Sequence, residues 1–160
     1  MTIYLQAPGA KGNVSAEGYQ DWVSLLKFSL SGIRRSVEQR TGSMYNRMSG
    51  PTCGMVWIQK LADSSSVFWF NASTRQQVIS KVDIHFVTAG NPLETYMTYT
   101  LTNAAVSFFN HEQDEAEGNI IENLMLAYDT LENSYFPRSA NNTQQSPVRT
   151  GYNVAQGVSM

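Results

Sequence analysis

Apolar and polar residues alternate along most of this chain, and a period of two marks half-buried strands, because successive side chains then point to opposite faces. Thr2–Gln6 reads as a first short strand closed by Ala7-Pro8-Gly9, and a second runs through DWVSLLKFSLSGI, Asp21–Ile33. Within it Phe28 and Leu30 point one way and Lys27, Ser29 and Ser31 the other. Gly54–Leu61 follows, then Val78–Thr88, where Val82, Ile84 and Phe86 share a face opposite Lys81, Asp83 and His85. Ala89-Gly90-Asn91-Pro92 is a turn signal that predicts a hairpin, since Gly and Asn tolerate positive φ and Pro lacks a ladder donor. Its return strand, Leu93–Phe109, is long for one flat strand, so a bend or bulge is expected near Asn103-Ala104-Ala105. In Ile120–Tyr135 the apolar parity shifts between Leu124-Leu126-Tyr128 and Leu131-Asn133-Tyr135, as one inserted residue near Asp129, a β-bulge, would make it. A last short strand is expected around Gly151–Val158.

One stretch departs from this pattern. Asp63-Ser64-Ser65-Ser66 offers N-cap residues ahead of VFWFNASTRQQ, and Arg75 stands where a cation complements the helix dipole, so a single helix is predicted over about Ser65–Gln76. Its clump Val67-Phe68-Trp69-Phe70 is too dense for one stripe, and at least one of these side chains should meet another element or another chain. Two segments read as excursions. Arg34–Thr52 shows no sustained period and carries four of the seven arginines, Arg34, Arg35, Arg40 and Arg47. A loop of that length without structure usually has a function of its own. The other, His111–Gly118, carries Glu112, Asp114, Glu115 and Glu117, with Glu122 just beyond. Arg138–Thr150 is polar and reads as a surface connection.

Composition narrows the function. The chain has 160 residues, about one domain, and is 42% hydrophobic, which fits a folded mainly β globule rather than a disordered chain. Only 15% of residues are charged, against about 25% in ordinary domains. The difference is made up by 17 Ser, 12 Thr, 12 Asn and 10 Gln, so the surface is polar but weakly charged. A net charge of −2 argues against nucleic acid as a partner. A single cysteine, Cys53, leaves packing or assembly to supply stability. The opening MTIYLQAPGAKG has no signal-peptide pattern, and no run of ~18 apolar residues occurs, so no membrane insertion is expected. A protein made in the cytoplasm and, if exported, exported without a cleaved signal is the expectation.

Candidate chemistry is sparse. His85 and His111 stand outside any metal or catalytic spacing, Cys53 lies in a Pro-Thr-Cys-Gly turn with no histidine near it in sequence, and the acidic run lacks calcium-loop spacing. No phosphate-binding glycine motif is present, and no cofactor is expected. The N-x-[ST] triplets at Asn13, Asn71 and Asn141 read as chance. What remains is one basic and one acidic excursion. They are either two unrelated solvated loops or complementary surfaces through which one copy meets another, and repeated heterologous contacts build rings or filaments.

Three stretches, GAKGNVSAEGYQDWVSLLKFSLSG (Gly9–Gly32), IENLMLAYDTLENSYFP (Ile121–Pro137) and SPVRTGYN (Ser146–Asn153), carry a resemblance to a known family. In order and spacing they resemble the Hcp (haemolysin-coregulated) proteins, tube subunits of the bacterial type VI secretion system: a KGE-like turn with a DW strand start, a W/Y-x-Y-x-P strand end, and a GPV-x-x-GW-like ending. Asn13, Leu30-Ser31-Gly32 and Tyr152 depart from that pattern.

The resemblance implies a compact β-barrel of two antiparallel sheets with one flanking helix (about 65–76) and a long extended loop (about 34–52), all within one domain over 1–160. It implies homohexameric rings stacked head to tail into a secreted tube, with a VgrG-type spike, a sheath and lumenal effector proteins as partners, and no catalysis. On it, Lys27, Ser29 and Ser31 are candidates to face the lumen. Arg34, Arg35, Arg40 and Arg47 become an assembly loop, with Glu112, Asp114, Glu115 and Glu117 as its complement. A phage tail-tube-like protein, a small-molecule-binding β-barrel and a hydrolase are the alternatives.

Overall fold

A computed structural model describes residues 1–160. Twelve strands and one helix follow in the order β1 (Thr2–Gln6), β2 (Val23–Leu25), β3 (Lys27–Leu30), β4 (Ile33–Arg34), β5 (Thr52–Cys53), β6 (Val56–Leu61), α1 (Ser66–Thr74), β7 (Val78–Thr88), β8 (Glu94–Gln113), β9 (Ile120–Ala127), β10 (Thr130–Tyr135), β11 (Val148–Asn153) and β12 (Val158–Ser159). Ten of the strands form one antiparallel sheet, and β4 and β5 form a second, two-stranded one.

The long strand β8 organises the sheet. Its first half, through Thr102, pairs with β10, and its second half, from Ala105, pairs with β9, while β7 runs alongside from Val78 to Thr88. The change of partner falls at Asn103, whose φ is +50°, a left-handed value that Asn tolerates better than most residues. The bend expected at Asn103-Ala104-Ala105 is therefore where β8 passes from one half of the sheet to the other. A register shift at Val106–Phe108 follows, and the strand continues to Gln113, four residues beyond the expected Phe109.

Inward side chains fill the space enclosed. Leu5, Val23, Val56, Ile58, Val82, Ile84, Leu101, Leu124 and Leu126 are fully buried and belong to one cluster with Trp69 of α1. These side chains make the space between the strands one continuous apolar core. The helix packs against β8 and inserts Trp69, with Phe68 against the core edge, while Val67 and Phe70 are left exposed. The dense aromatic clump thus divides between core and surface.

Four expectations are corrected. The continuous strand Asp21–Ile33 is three pieces. Val23 and Leu25 point inward with β1 as partner, then the inward parity moves to Phe28 and Leu30 with β6 as partner, so the phase slips by one at Leu26. That slip also leaves β2 paired only with β1 and β3 only with β6, so the sheet wraps the core without being a closed barrel. The parity change near Asp129 is no bulge: β9 ends at Ala127, and the chain rejoins the other half of β8 as β10, with Asp129 N donating to Thr102 O at 3.0 Å. The last strand is a hairpin, β11 and β12, rather than one run.

The Arg34–Thr52 excursion also has structure. β4 and β5 pair at its base, Val37 bridges Met48, and one 3-10 turn spans Tyr45–Arg47. It is an ordered arm in which no residue from Ile33 to Cys53 is buried. Ladders two residues long leave no detectable period, which is why alternation missed them.

Candidate functional site

The candidate residues fall in three groups, on β3, on the arm and at the β8–β9 connection. Lys27 and Ser29 lie on the outer face of β3, with Ser31 just beyond the strand, and their inward neighbour Phe28 stacks on Tyr99 at 4.9 Å. The outward face is continued across three more strands by the ladder. Ser29 stands opposite Trp57, Trp57 opposite Met125, and Met125 opposite Phe108. One step along, Lys27, Gln59, Asn123 and Asn110 form a parallel polar row.

In the arm the four arginines do different things. Arg47 donates to the carbonyls of Ser43 and Glu38 at 3.2 Å and to that of Arg40, so its guanidinium staples the arm to itself. Arg40 pairs with Glu38 at 3.0 Å, and Arg35 donates to Ser49 O at 3.2 Å. No hydrogen bond or ion pair engages the Arg34 side chain. Met44 and Tyr45, 61% and 85% exposed, stand beside them, so the arm presents apolar as well as basic groups.

The acidic residues sit at the β8–β9 connection. Glu112 is on β8, where its Oε1 accepts from Asn110 Nδ2, and Asp114 Oδ1 accepts from Ala116 N at 2.9 Å, closing the turn. Glu117 accepts from Asn119, and none of the four acids forms an ion pair in this chain.

A fourth site was missed by sequence reasoning. Lys60 and Glu122, both fully buried, face each other across β6 and β9 with Nζ 2.5 Å from Oε2. The ammonium's hydrogen bonds go to Leu61 O at 2.9 Å and Asp63 Oδ1 at 3.0 Å. His111 Nε2 lies 2.8 Å from Glu122 Oε1 at the surface side. Asp63 Oδ1 also accepts from Ser65 N and Ser65 Oγ, and Ser65 Oγ accepts from Trp69 Nε1 at 3.2 Å. The network therefore ties the start of α1 to the sheet. Its signal was present: Lys60 shares the inward parity of Val56 and Ile58, and Glu122 that of Leu124 and Leu126. A charge on the apolar parity of two paired strands announces a buried pair.

The remaining titratable groups are structural in placement. On the outer face of β7, His85 packs 4.8 Å from Trp22 and edge-on to Tyr19, and burial lowers its pKa, opposed by Asp83 and reinforced by Lys81. Tyr128 donates to Gly54 O at 2.8 Å, and burial, with Cys53 nearby, pushes its pKa up to about 12. Cys53 is half-buried and unpaired. No helix is long and apolar enough to cross a membrane.

Comparison with known proteins decides the family. Residues 4–135 match the family described as "Type VI secretion system effector, Hcp". The chain belongs to the Hcp family. It is a subunit of the type VI secretion tube, secreted in type VI fashion. Solved structures agree in fold. A type six secretion system protein superposes with a TM-score of 0.90 at 16% identity, covering 99% of both chains. Hcp1 from Salmonella typhimurium gives 0.75 at 16% identity over 99% of this chain and 98% of that one. A type VI secretion system effector from Yersinia pestis gives 0.73 at 12% identity, over 95% and 99%. No curated protein sequence matches the chain. At such low identity the structures show a shared fold, and this Hcp protein's own surfaces are read from its own residues.

Proposed function

We propose that this Hcp protein works as one domain over residues 1–160, assembling as rings of six that stack head to tail and carry effector proteins in the lumen. A VgrG-type spike and a contractile sheath are its other partners. Its role is structural, with no catalysis and no cofactor. The outer face of β3, with Lys27, Ser29 and Ser31, lines the lumen.

The observation that carries the reading is the arm. A segment from Ile33 to Cys53 that is hydrogen-bonded into shape yet buries none of its residues contributes nothing to its own core, so its order serves a contact outside the subunit. Arg40 and Arg47 keep the arm's form, while Arg34 and Arg35 present charge to a neighbouring copy, for which the turn carrying Glu112, Asp114, Glu115 and Glu117 is the complement. Contacts of this kind weaken as salt screens them. Reversing Arg34 and Arg35 to Glu should reduce assembly, followed by light scattering across a salt series, while leaving the monomer's melting unchanged. Assembly equal to wild type at every salt concentration would remove the arm from the interface.

A further inference from the structure

Strands with one face in the core ordinarily turn small or polar residues to the other face, and the outer face of β3, β6, β9 and β8 departs from this in one line. Trp57, Met125 and Phe108 are adjacent across three strands, with Phe108 45% exposed and the other two half-buried. None belongs to the core cluster. Lys27 Nζ stands 5.1 Å from the Trp57 ring centroid, a cation–π contact that closes the end of the line nearest β3.

Beside this line runs a chain of amides. Gln59 Nε2 donates to Asn123 Oδ1 at 3.0 Å, Asn123 Nδ2 to Asn110 Oδ1 at 2.9 Å, and Asn110 Nδ2 to Glu112 Oε1 at 3.2 Å. Asn123 is buried between its neighbours, while the half-buried Gln59 and Asn110 each use one amide N–H in this chain and keep a second, and the Gln59 side-chain oxygen remains free as an acceptor. Unused donors and acceptors beside an apolar line match the mixed donor and acceptor groups of a peptide backbone with apolar side chains. Charge narrows the partner further. Lys27 and Glu112 stand at opposite ends, and the positions between them, on β6 and β9, are uncharged. A strongly charged partner therefore has little to meet.

We infer that this face is a docking surface for an extended polypeptide segment of low charge bearing bulky apolar side chains, with Trp57 and Phe108 as its anchors. The inference rests on the reading of this face as the lumen and specifies which passengers that lumen retains. Interface energy concentrates in a few aromatic anchors ringed by weaker polar contacts, which gives Trp57 the largest share.

The test uses assembled full-length protein and a fluorophore-labelled synthetic peptide of alternating serine and leucine with one phenylalanine, read by anisotropy. Trp57→Ser should weaken binding about tenfold and Phe108→Ser about fivefold. Phe70→Ser, an exposed aromatic on α1, should leave it unchanged, and a serine–glycine peptide should not bind. Rings that form normally but bind the peptide equally with Trp57→Ser and Phe108→Ser overturn the inference and leave the tube reading intact. Rings that fall apart in both variants also overturn it, because the line would then be a contact between copies. If the wild type forms no rings, it is the tube reading that fails, and anisotropy that still depends on both residues supports the docking surface on the free chain.

Discussion

Two long cations, Lys60 and Arg47, make the same kind of contact in opposite surroundings. Lys60 has no exposed side-chain area and meets two carboxylates and a carbonyl inside the body. Arg47 meets three backbone carbonyls in an arm with no buried residue. Inside, removing one charge strands its partners away from water. Outside, water and salt replace what is lost. The body thus uses charge to fix the helix on the sheet, whereas the arm uses it to hold a shape and keeps the rest open to another molecule.

The sharpest way to break this contrast is Lys60→Ala. It leaves Glu122 buried without its lysine partner and should cost about 3–5 kcal/mol of stability, read from urea unfolding. A loss similar to that of a surface variant would show that the buried cluster does not hold the body together. The next effect depends on pH. Burial lowers the His85 pKa from its ordinary 6.5, so the unfolded chain takes up a proton at a higher pH than the folded one. Its contribution is complete above pH about 6.5 and is lost as pH falls through that value toward the lower folded one. His85→Gln should flatten the stability profile between neutral and mildly acid pH, and an unchanged slope would place the titrating group elsewhere. The smallest effect on unfolding belongs to Arg47→Ala, within about 1 kcal/mol. The same substitution should make the arm a faster target for limited proteolysis, and an arm that stays resistant would mean its shape does not depend on the staple.

How far the chain's alternation carries is clear from particular strands. Val78–Thr88 ends where its pattern ends, because a turn closes it and its partner is next in sequence. The bend at Asn103 was visible because a strand of that length must turn, and an Asn can take the left-handed backbone it needs. By contrast, Asp21–Ile33 reads as one strand because period two records which face is apolar and not which neighbour is paired. β1 meets β7 across some eighty intervening residues, and no local pattern marks that (Thr2 opposite Val87). That Lys27 and Ser29 share the outer face of β3 was readable from parity alone, whereas only the family resemblance made that face a lumen candidate. Trp57, Met125 and Phe108 became one line only through registers that join four strands. The arginines were readable as a basic run, but which of them bind the arm's own carbonyls depends on a fold whose ladders are two residues long.

The low charge of the chain gains a physical meaning from this arrangement. A subunit flanked by copies in a ring turns much of its surface into interface, where charge at the contact core is costly. The Ser, Thr, Asn and Gln that replace it satisfy hydrogen bonds without that cost.

Electron microscopy of the purified full-length protein at high concentration is the most direct test of the central claim that this is a self-assembling tube subunit. Six-membered rings with an open pore, alone or stacked end to end, are the predicted result. A uniform field of monomers would contradict it.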